Sequence, residues 1–315
     1  MLTPRFLQLH HEDAEAVRQE LVAGLLARPA RVAPKFLYDA LGSRLFDAIT
    51  ELPEYYLTRV ERSIFEAHRS DIAATFGAGL TLVDLGAGDG AKAAGWLAAL
   101  QPQAYVAVDI SVAYLRESLA RLQRQHPGLP MLGLGLDFAA GLDLPPEVGE
   151  GPRLMFYPGS SIGNFSPEEA WRFLHGLRQQ SQGGGLLIGV DLIKPKPLLD
   201  QAYDDPLQVT AAFNRNLLRR LNALLGCQAR VEDFDHVAGY DEDRQRIDMH
   251  LQARRPVRLA WPGGERAFEA GERIHTEISC KYTEAGFAAL LHDAGFSDVR
   301  CYTDPQRWFG VYTAR

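Results

Sequence analysis

Short apolar runs alternate with helix-like segments between Leu80 and Ile193, and this alternation predicts the fold class. The apolar runs are predicted to be strands, and they are LTLVDLG, AYVAVDI, LPMLGLGLDF, RLMFYPGS and GGLLIGVDLI. The segments GAKAAGWLAAL and VAYLRESLARLQRQH follow the first two runs and are predicted to be helices that return across the sheet. Strands that alternate with helices in this way favour an α/β fold with a parallel, doubly wound sheet.

The segment NFSPEEAW has the features of a helix start. Ser166 can cap the helix, Pro167 suits the first helical turn, and Glu169 can complete a capping box. A helix is therefore predicted to follow Ser166.

The pattern changes after Asp191. KPKPLLDQAYDDP is proline-rich and predicted to be a linker, whereas VTAAFNRNLLRRLNALLG is predicted to be an amphipathic helix. RQRIDMHLQARRPVRLAW and RAFEAGERIHTEISCKY then alternate with period two, which is typical of a half-exposed antiparallel sheet. One helix and two closing strands are predicted in the C-terminal segment. We therefore predict two domains, formed by residues 60–194 with 283–315 and by residues 1–59 with 195–282.

Composition and charge exclude several classes of protein. The chain of 315 residues is 46% hydrophobic and 23% charged, which is ordinary for a globular protein, and its net charge of −7 argues against a nucleic-acid surface. No apolar run approaches the ~20 residues of a membrane span, and the N-terminus lacks the features of a secretory signal. Three cysteines occur without a CxxC motif or zinc-ligand spacing: Cys227, Cys280 and Cys301. We expect a cytoplasmic, monomeric protein with a small-molecule substrate, no metal, and no nucleic-acid, membrane or obligate protein partner.

The glycine-rich stretch TLVDLGAGDGAKAAGW lies between a predicted strand and a predicted helix, where a backbone can approach a nucleotide closely. Gly86 and Gly88 followed by Ala91 satisfy the loose dinucleotide fingerprint. The same glycines followed by Gly90, with Asp84 two residues ahead, suit S-adenosylmethionine equally well. This stretch alone leaves both ligands open.

Two other chemistries are less consistent with the rest of the chain. Asp109 follows the glycines by about 20 residues and can accept ribose hydroxyls, as in NAD-linked dehydrogenases, but no Tyr-x-x-x-Lys pair accompanies it. GSSIG matches the G-x-S-x-G pattern of serine hydrolases around Ser161. The helix start is displaced to Ser166, however, so we predict that Ser161 lies in a loop.

The order of acidic residues favours methyl transfer from S-adenosylmethionine. Asp84 ends the first predicted strand, Asp109 ends the second, and Asp137 with Phe138 ends the third. The carboxyl ends of parallel strands meet at one edge of the sheet, where α/β proteins bind ligands. There, Asp137 is placed to accept from the adenine amino group and Phe138 to cover its face.

The chain resembles the L-histidine Nα-methyltransferases of ergothioneine biosynthesis over nearly its whole length. The matching stretches are KFLYDALGSRLFDAITELPEYYLTR, LGAGDGAKA, PGSSIGNF, AYDDPLQVTAAFNRNLL and HTEISCKY, of which the first and fourth are long and specific. The resemblance implies a Rossmann-like class I methyltransferase core (60–194 and 283–315) and a smaller α+β substrate-binding domain. It also implies three successive transfers from S-adenosylmethionine to the histidine α-amine, giving hercynine.

The resemblance further implies the roles of individual residues. With Asp84 and Gly88 of the glycine loop, the residues that would hold the cofactor are Gly86, Lys92, Asp109, Asp137 and Phe138. The residues that would hold histidine are Tyr55, Asn164, Tyr203, Glu277 and Ser279, with Met249 and Tyr38 lining the pocket. Either Tyr38 or a pocket water is the proton acceptor for the amine. Methylation of another amino acid, or non-catalytic sensing of these ligands, is the alternative function.

The residue pattern supports part of this assignment independently. Glu277 and Ser279 are two residues apart on an alternating strand, so they point to one face about 7 Å apart. A carboxylate and a hydroxyl there can bind two imidazole nitrogens, but a solvated polar face explains the spacing equally well. By spacing alone, Met249 belongs to the core with Ile247 and Leu251.

Overall fold

The computed structural model describes residues 2–10, 13–110, 112–138 and 141–315, and the chain divides into two compact units. The first unit contains the described residues of Met1–His11, Arg59–Leu192 and Tyr282–Arg315, and the second contains those of Glu12–Thr58 and Ile193–Lys281. The largest difference from the predicted division is at the N-terminus, where the first residues belong to the first unit and not to the second.

Strands and helices alternate through much of the chain. The strands, in chain order, are β1 (Arg5–Gln8), β2 (Ala30–Arg31), β3 (Thr81–Leu85), β4 (Ala104–Asp109), β5 (Met131–Gly135), β6 (Arg153–Tyr157), β7 (Gly185–Asp191), β8 (Phe234–Asp241), β9 (Arg246–Ala253), β10 (Val257–Trp261), β11 (Gly264–Phe268), β12 (Arg273–Cys280), β13 (Arg300–Thr303) and β14 (Phe309–Ala314). The helices are α1 (Ala14–Leu26), α2 (Ala40–Thr50), α3 (Tyr56–Phe76), α4 (Ala91–Leu100), α5 (Val112–Gln125), α6 (Pro167–Gln180), α7 (Lys196–Tyr203), α8 (Val209–Leu225) and α9 (Glu284–Asp293). Within the described ranges, no helix is both long and apolar enough to cross a membrane.

The first unit is built on one mixed sheet with the strand order β1-β5-β4-β3-β6-β7-β14-β13. The strands from β1 to β7 in this order are parallel, and β14 and β13 each run antiparallel to the preceding strand. Every residue of β3, β5, β6 and β7 is buried, because helices cover both faces of a doubly wound sheet. The predicted parallel, doubly wound sheet is therefore confirmed.

The edge strand β1 corrects the assignment of the N-terminal segment to the second domain. It pairs in parallel with β5, and Phe6 lies opposite Gly133. A Cβ atom on Gly133 would lie 2.7 Å from the Phe6 ring, so the glycine leaves the space that the ring occupies. Only four residues pair, which is too short a run to show alternation in the sequence.

The second unit contains the four-stranded sheet β2-β12-β9-β8, the β10–β11 hairpin and the helices α1, α2, α7 and α8. β9 is antiparallel to β8 and β12, and its burial alternates residue by residue, as predicted from the period-two pattern. The segment predicted to be a linker contains helix α7, so that prediction was wrong. Pro195 and Pro197 lie at the start of the helix, where proline removes no intrahelical hydrogen bond.

The predicted start of helix α6 is confirmed. Ser166 is the N-cap, and its hydroxyl accepts a hydrogen bond from the Glu169 N–H. The Glu169 carboxylate in turn accepts from the Ser166 N–H at 2.8 Å, which completes the capping box. The box satisfies donors that the first turn of a helix otherwise leaves unpaired.

Replacement of Ser166 by Ala should lower the free energy of unfolding by about 1 kcal/mol, because the cap hydroxyl is lost. Urea unfolding followed by circular dichroism measures the change. Ser63→Ala is the matched control, since Ser63 is exposed in α3 and its hydroxyl donates to the Val60 carbonyl of the same helix. The control should change the free energy by less than about 0.5 kcal/mol, and an equal loss in both variants would contradict the role of the cap.

Candidate active site

The glycine loop of the first unit links β3 to α4 through left-handed backbone. Gly86, Gly88 and Gly90 have φ angles of 71°, 54° and 72°, which glycine adopts without a steric penalty. The N–H groups of Gly86 and Ala87 both donate to the Val108 carbonyl, at 2.8 and 3.0 Å. The loop is thereby fixed beside the carboxyl end of β4.

Two predicted carboxylates lie at this loop. One oxygen of Asp109, at the end of β4, accepts a hydrogen bond from the Gly88 N–H at 3.1 Å. Asp84, on β3, is buried and accepts from the Tyr105 hydroxyl at 2.7 Å. Burial raises the pKa of Asp84 to about 7, although the Tyr105 hydrogen bond opposes the shift. A carboxyl group perturbed in this way is typical of a ligand site.

Phe138 lies close to the same loop. A Cβ atom on Gly86 would lie 3.8 Å from the edge of the Phe138 ring, which also packs against Tyr157 and Phe173 at centroid distances of 5.9 and 6.0 Å. Asp137 precedes it, after β5 has ended at Gly135. The structure therefore brings Gly86, Gly88, Asp109 and Phe138 together.

Lys92 of α4 is held by a residue that the sequence did not single out. Its Nζ donates to Glu61 at 2.6 Å, and the other oxygen of Glu61 accepts from the Gly159 N–H at 2.6 Å. The Glu61 side chain is 2% exposed, whereas that of Lys92 is 42% exposed. Glu61 lies in an amphipathic helix, and nothing in the sequence distinguishes it from a surface acid.

Ser161 does not lie in a loop as predicted but begins the short 3-10 helix Ser161–Asn164. The strained position before it, with a φ of 65°, belongs to Ser160, whose hydroxyl accepts from the Asp191 N–H at 2.8 Å. A nucleophile elbow places the reactive serine itself in the strained turn. Ser161 instead shares a hydrogen bond with Tyr157. Asn164 ends this 3-10 helix and is half-buried in the first unit.

The second unit holds three polar side chains in mutual hydrogen-bond contact. The Tyr203 hydroxyl donates to Ser279 Oγ at 2.8 Å, and Lys281 Nζ donates to the same Oγ at 2.8 Å and to Tyr203 at 2.9 Å. Tyr203 is the last residue of α7, Ser279 lies on β12, and Lys281 follows that strand. Lys281 was missed by sequence reasoning, because a lysine just after a strand is ordinarily a solvated charge.

A bulge in β12 turns Glu277 towards the interior. The register of β12 against β9 shifts between His275 and Glu277, so that Thr276 and Glu277 are both buried. Glu277 is 7% exposed, which excludes the solvated polar face, and its Oε2 has no hydrogen-bond partner among the described residues. Burial raises the pKa of Glu277 to about 7, and the charge of Lys281 opposes this shift. Met249 lies opposite Glu277 on β9 and is buried as well.

Aromatic rings connect the remaining predicted residues of the second unit. Tyr55 contacts the Tyr203 ring at a centroid distance of 6.4 Å and the Phe46 ring at 6.2 Å. Phe46 contacts Tyr38 at 5.6 Å, and Phe213 contacts Tyr38 at 5.3 Å. Sequence reasoning missed Phe46 and Phe213, since apolar residues at helical spacing are ordinarily core.

Comparison with known proteins identifies the family. Proteins described as SAM-dependent, histidine-specific methyltransferases match residues 17–315 of this chain. The chain belongs to this family. The histidine N-alpha-methyltransferase of Mycolicibacterium smegmatis is 40% identical to this member over 308 residues, which cover 96% of this chain and 95% of that protein.

Two further relatives agree with the family assignment. The histidine N-alpha-methyltransferase of Mycobacterium tuberculosis is 38% identical over 312 residues, or 96% of each chain. Ergothioneine biosynthesis protein 1 of Neurospora crassa is 32% identical over 289 residues, which cover 87% of this chain and 32% of that protein. The chain is thus a methyltransferase with S-adenosylmethionine as its cofactor, and its mostly parallel sheet agrees with a Rossmann-like class I methyltransferase core.

The loop of this histidine-specific methyltransferase fits the cofactor. Its glycines leave the backbone uncovered, the Asp109 carboxylate is an acceptor suited to ribose hydroxyls, and the Phe138 ring offers an apolar face for adenine. These roles remain predictions for the individual residues.

Asp109→Ala should weaken binding of S-adenosylhomocysteine by about 1.5–3 kcal/mol, because the ribose loses a charged acceptor. Isothermal titration calorimetry measures the affinity. Asp109→Asn is the matched control, since its amide oxygen can still accept from Gly88 and keep the loop in place. The control should bind with intermediate affinity, and unchanged affinity in the Ala variant would remove Asp109 from the cofactor site.

Proposed function

We propose that this methyltransferase transfers three methyl groups in succession to the α-amine of L-histidine and so produces hercynine, the first step of ergothioneine biosynthesis. The observation that carries the proposal is the similarity, over 96% of the chain, to a histidine N-alpha-methyltransferase. The buried polar cluster of the second unit supports it, because such a cluster suits a ring with two polar atoms.

The first unit holds the cofactor in this proposal. S-adenosylmethionine supplies an electrophilic methyl group when it is bound. Asp109 accepts from the ribose, Asp137 accepts from the adenine amino group and Phe138 covers the adenine face. The other cofactor contacts are assigned to Asp84, Gly86, Gly88 and Lys92. An in-line displacement needs the amine, the methyl group and the sulfur to be held in line. A loop with a fixed geometry favours catalysis by this kind of orientation.

The second unit selects the amino acid. The carboxylate of Glu277 accepts from one imidazole nitrogen, and the Ser279 hydroxyl contacts the other. An apolar side chain would leave Glu277 buried without a partner, and an unpaired buried charge is costly. Tyr55 and Tyr203 contact the amino acid itself, and Met249 lines the ring pocket. Asn164, a residue of the first unit, is assigned to the amino acid by the family resemblance alone.

The amine lies beside aromatic rings in this proposal. It attacks as a neutral group, so its proton must leave before each transfer, either to Tyr38 or to a pocket water. Once methylated, the amine is a bulky cation that aromatic faces attract by about 0.5–2 kcal/mol. Tyr38 and Tyr55 therefore suit both the early hydrogen bonding and the later cation–π contact.

The test of the proposed function is incubation of the full chain with S-adenosylmethionine and each common amino acid, followed by mass spectrometry. We expect trimethylated histidine as the main product. Methylation of a different amino acid would favour the first alternative, and binding without any product would favour a sensor. Cytoplasmic location and a monomeric state remain predictions, to be checked by fractionation and sedimentation.

Glu277→Gln should lower kcat/KM for histidine by about tenfold and leave that for phenylalanine and tryptophan equal or higher. The amide oxygen can still accept from the imidazole N–H, but the bond loses its charge, and charge-assisted hydrogen bonds are about twice as strong as neutral ones. Competition assays measure the ratio. An equal loss for every amino acid would mean that Glu277 supports the fold.

Measuring the stability of the Glu277→Gln variant separates a role in histidine recognition from a role in supporting the fold. Because burial raises the pKa of Glu277 to about 7, the contribution of Glu277 to wild-type stability falls as the pH rises from about 4.5 to about 7, where this residue is readily ionised only in the unfolded chain. The variant should lose less stability over this range than wild type, retaining the part of the fall that Asp84 contributes, and be at least as stable as wild type at pH 8. A less stable variant would contradict a carboxylate kept for function at a cost in stability.

Tyr38→Ala should shift the products towards mono- and dimethylhistidine, because the methylated ammonium groups have fewer N–H donors to hold them and depend more on an aromatic face to remain bound for the next transfer. Product ratios from mass spectrometry measure the shift. Tyr38→Phe is the matched control, since it keeps the face and removes the hydroxyl. A purely trimethylated product at a reduced rate in the Ala variant would argue against the cation–π role.

A further inference from the structure

Lys281 is a buried lysine for which neither the family resemblance nor the proposed function provides a role. It is 2% exposed, and its Nζ lies 4.7 Å from the centroid of the Tyr203 ring. Buried lysines are rare unless they are paired. Its donors point to two residues of the proposed histidine site, Tyr203 and Ser279.

The hydrogen bonds around Ser279 fix the direction in which its hydroxyl can act. A serine hydroxyl has two lone pairs and one proton to donate. One lone pair accepts from Lys281 and the other accepts from Tyr203, each at 2.8 Å. The phenol is the donor of the Tyr203–Ser279 pair because a phenol is the stronger acid. Ser279 is left with its proton alone, so it can meet a ligand only as a donor.

Glu277, on the same buried face of β12, is a hydrogen-bond acceptor, whereas Ser279 is a donor. An ionised carboxylate only accepts hydrogen bonds, and its Oε2 has no partner among the described residues. Burial raises the pKa of Glu277 to about 7 and the charge of Lys281 opposes this shift, so the carboxylate is mainly ionised above that pH. A ligand that satisfies both residues must offer a donor to Glu277 and an acceptor to Ser279.

We propose that Lys281 is a specificity-determining positioning residue, which holds the Ser279 hydroxyl as a donor and so restricts the site to a neutral azole with one N–H and one bare nitrogen. An imidazolium ring would place its second N–H against a hydroxyl with no free lone pair, close to an ammonium group. A ring with carbon in place of the bare nitrogen would leave the Ser279 proton unpaired. The inference rests on the proposed function and deepens it.

The test compares kcat/KM for histidine with that for β-(pyrrolyl)alanine, a ring analogue that keeps an N–H and replaces the bare nitrogen by C–H. Both the 2-yl and 3-yl isomers are assayed, and the better substrate is used. Wild type should favour histidine, because an unpaired buried donor costs about ten- to a hundredfold in binding. In Lys281→Met this preference should fall by about tenfold, since Ser279 can then donate to Tyr203 instead.

A second buried lysine provides the matched control. Lys194 is 8% exposed, donates to the Tyr56 hydroxyl at 2.7 Å and lies 4.5 Å from the centroid of that ring. Lys194 belongs to the same unit, and Tyr56 is not among the residues assigned to the proposed histidine site. Lys194→Met should therefore leave the ratio of the two substrates unchanged, whatever it does to stability.

A double-mutant cycle tests whether Lys281 acts through Ser279. Ser279→Ala should lower the ratio by itself, and Lys281→Met should add no further change in the Ser279→Ala background. If Lys281→Met does not fold, Tyr203→Phe replaces it, because it also frees a lone pair of Ser279 and should lower the ratio.

The outcomes separate this inference from the proposed function. An equal loss of kcat/KM for both substrates in Lys281→Met, or additive effects in the cycle, would overturn the positioning role and leave histidine methylation standing. Failure of wild type to methylate histidine would overturn the proposed function and this inference with it.

Discussion

One oxygen of the buried Glu277 carboxylate has no hydrogen-bond partner among the described residues, although the charge of the buried Lys281 acts on this carboxylate, and the polar cluster of the second unit depends on this constraint. Glu277 and Lys281 both lie out of water, and the desolvation of two charges can exceed the attraction between them. Hydrogen bonds reduce this cost only partly. Lys281 donates to Tyr203 and Ser279, but Glu277 Oε2 has no hydrogen-bond partner among the described residues. A fold selected for stability alone would have little reason to keep this arrangement, which supports the proposal that it recognises a polar ring.

The elements of the second unit deliver these side chains to one place. The bulge in β12 puts Glu277 on the face that also carries Ser279 and Met249, and the end of α7 brings Tyr203 to Ser279. The first unit also has a buried carboxyl group at its candidate site. Asp84 lies on the strand that leads into the glycine loop, and burial raises its pKa to about 7. Each unit thus retains an ionisable group at a cost in stability, as is common at functional sites.

The sequence predicted what depends on local patterns. The apolar runs predicted the central strands, and the Ser166 capping box predicted the start of α6, because both follow from residues close together in the chain. The inward position of Glu277 could not be predicted, since Ile274 and Ile278 alternate as if Glu277 faced the opposite side, and only pairing with β9 creates the bulge. Lys281 and Glu61 were missed for a related reason: their partners are fixed by tertiary packing, and a charged residue looks solvated in the sequence. β1 and α7 were too short, or too rich in proline, to be recognised.

In the proposed site the protein recognises histidine as a neutral ring, one nitrogen donating to a carboxylate and the other accepting from a hydroxyl. Nitrogen NMR of ring-labelled ¹⁵N-histidine, bound to the full chain with S-adenosylhomocysteine, measures the protonation of each ring nitrogen directly. We expect one protonated and one bare nitrogen, held as a single tautomer down to a pH at which free histidine is already cationic. Two protonated ring nitrogens in the complex, or the tautomer mixture of free histidine, would contradict it.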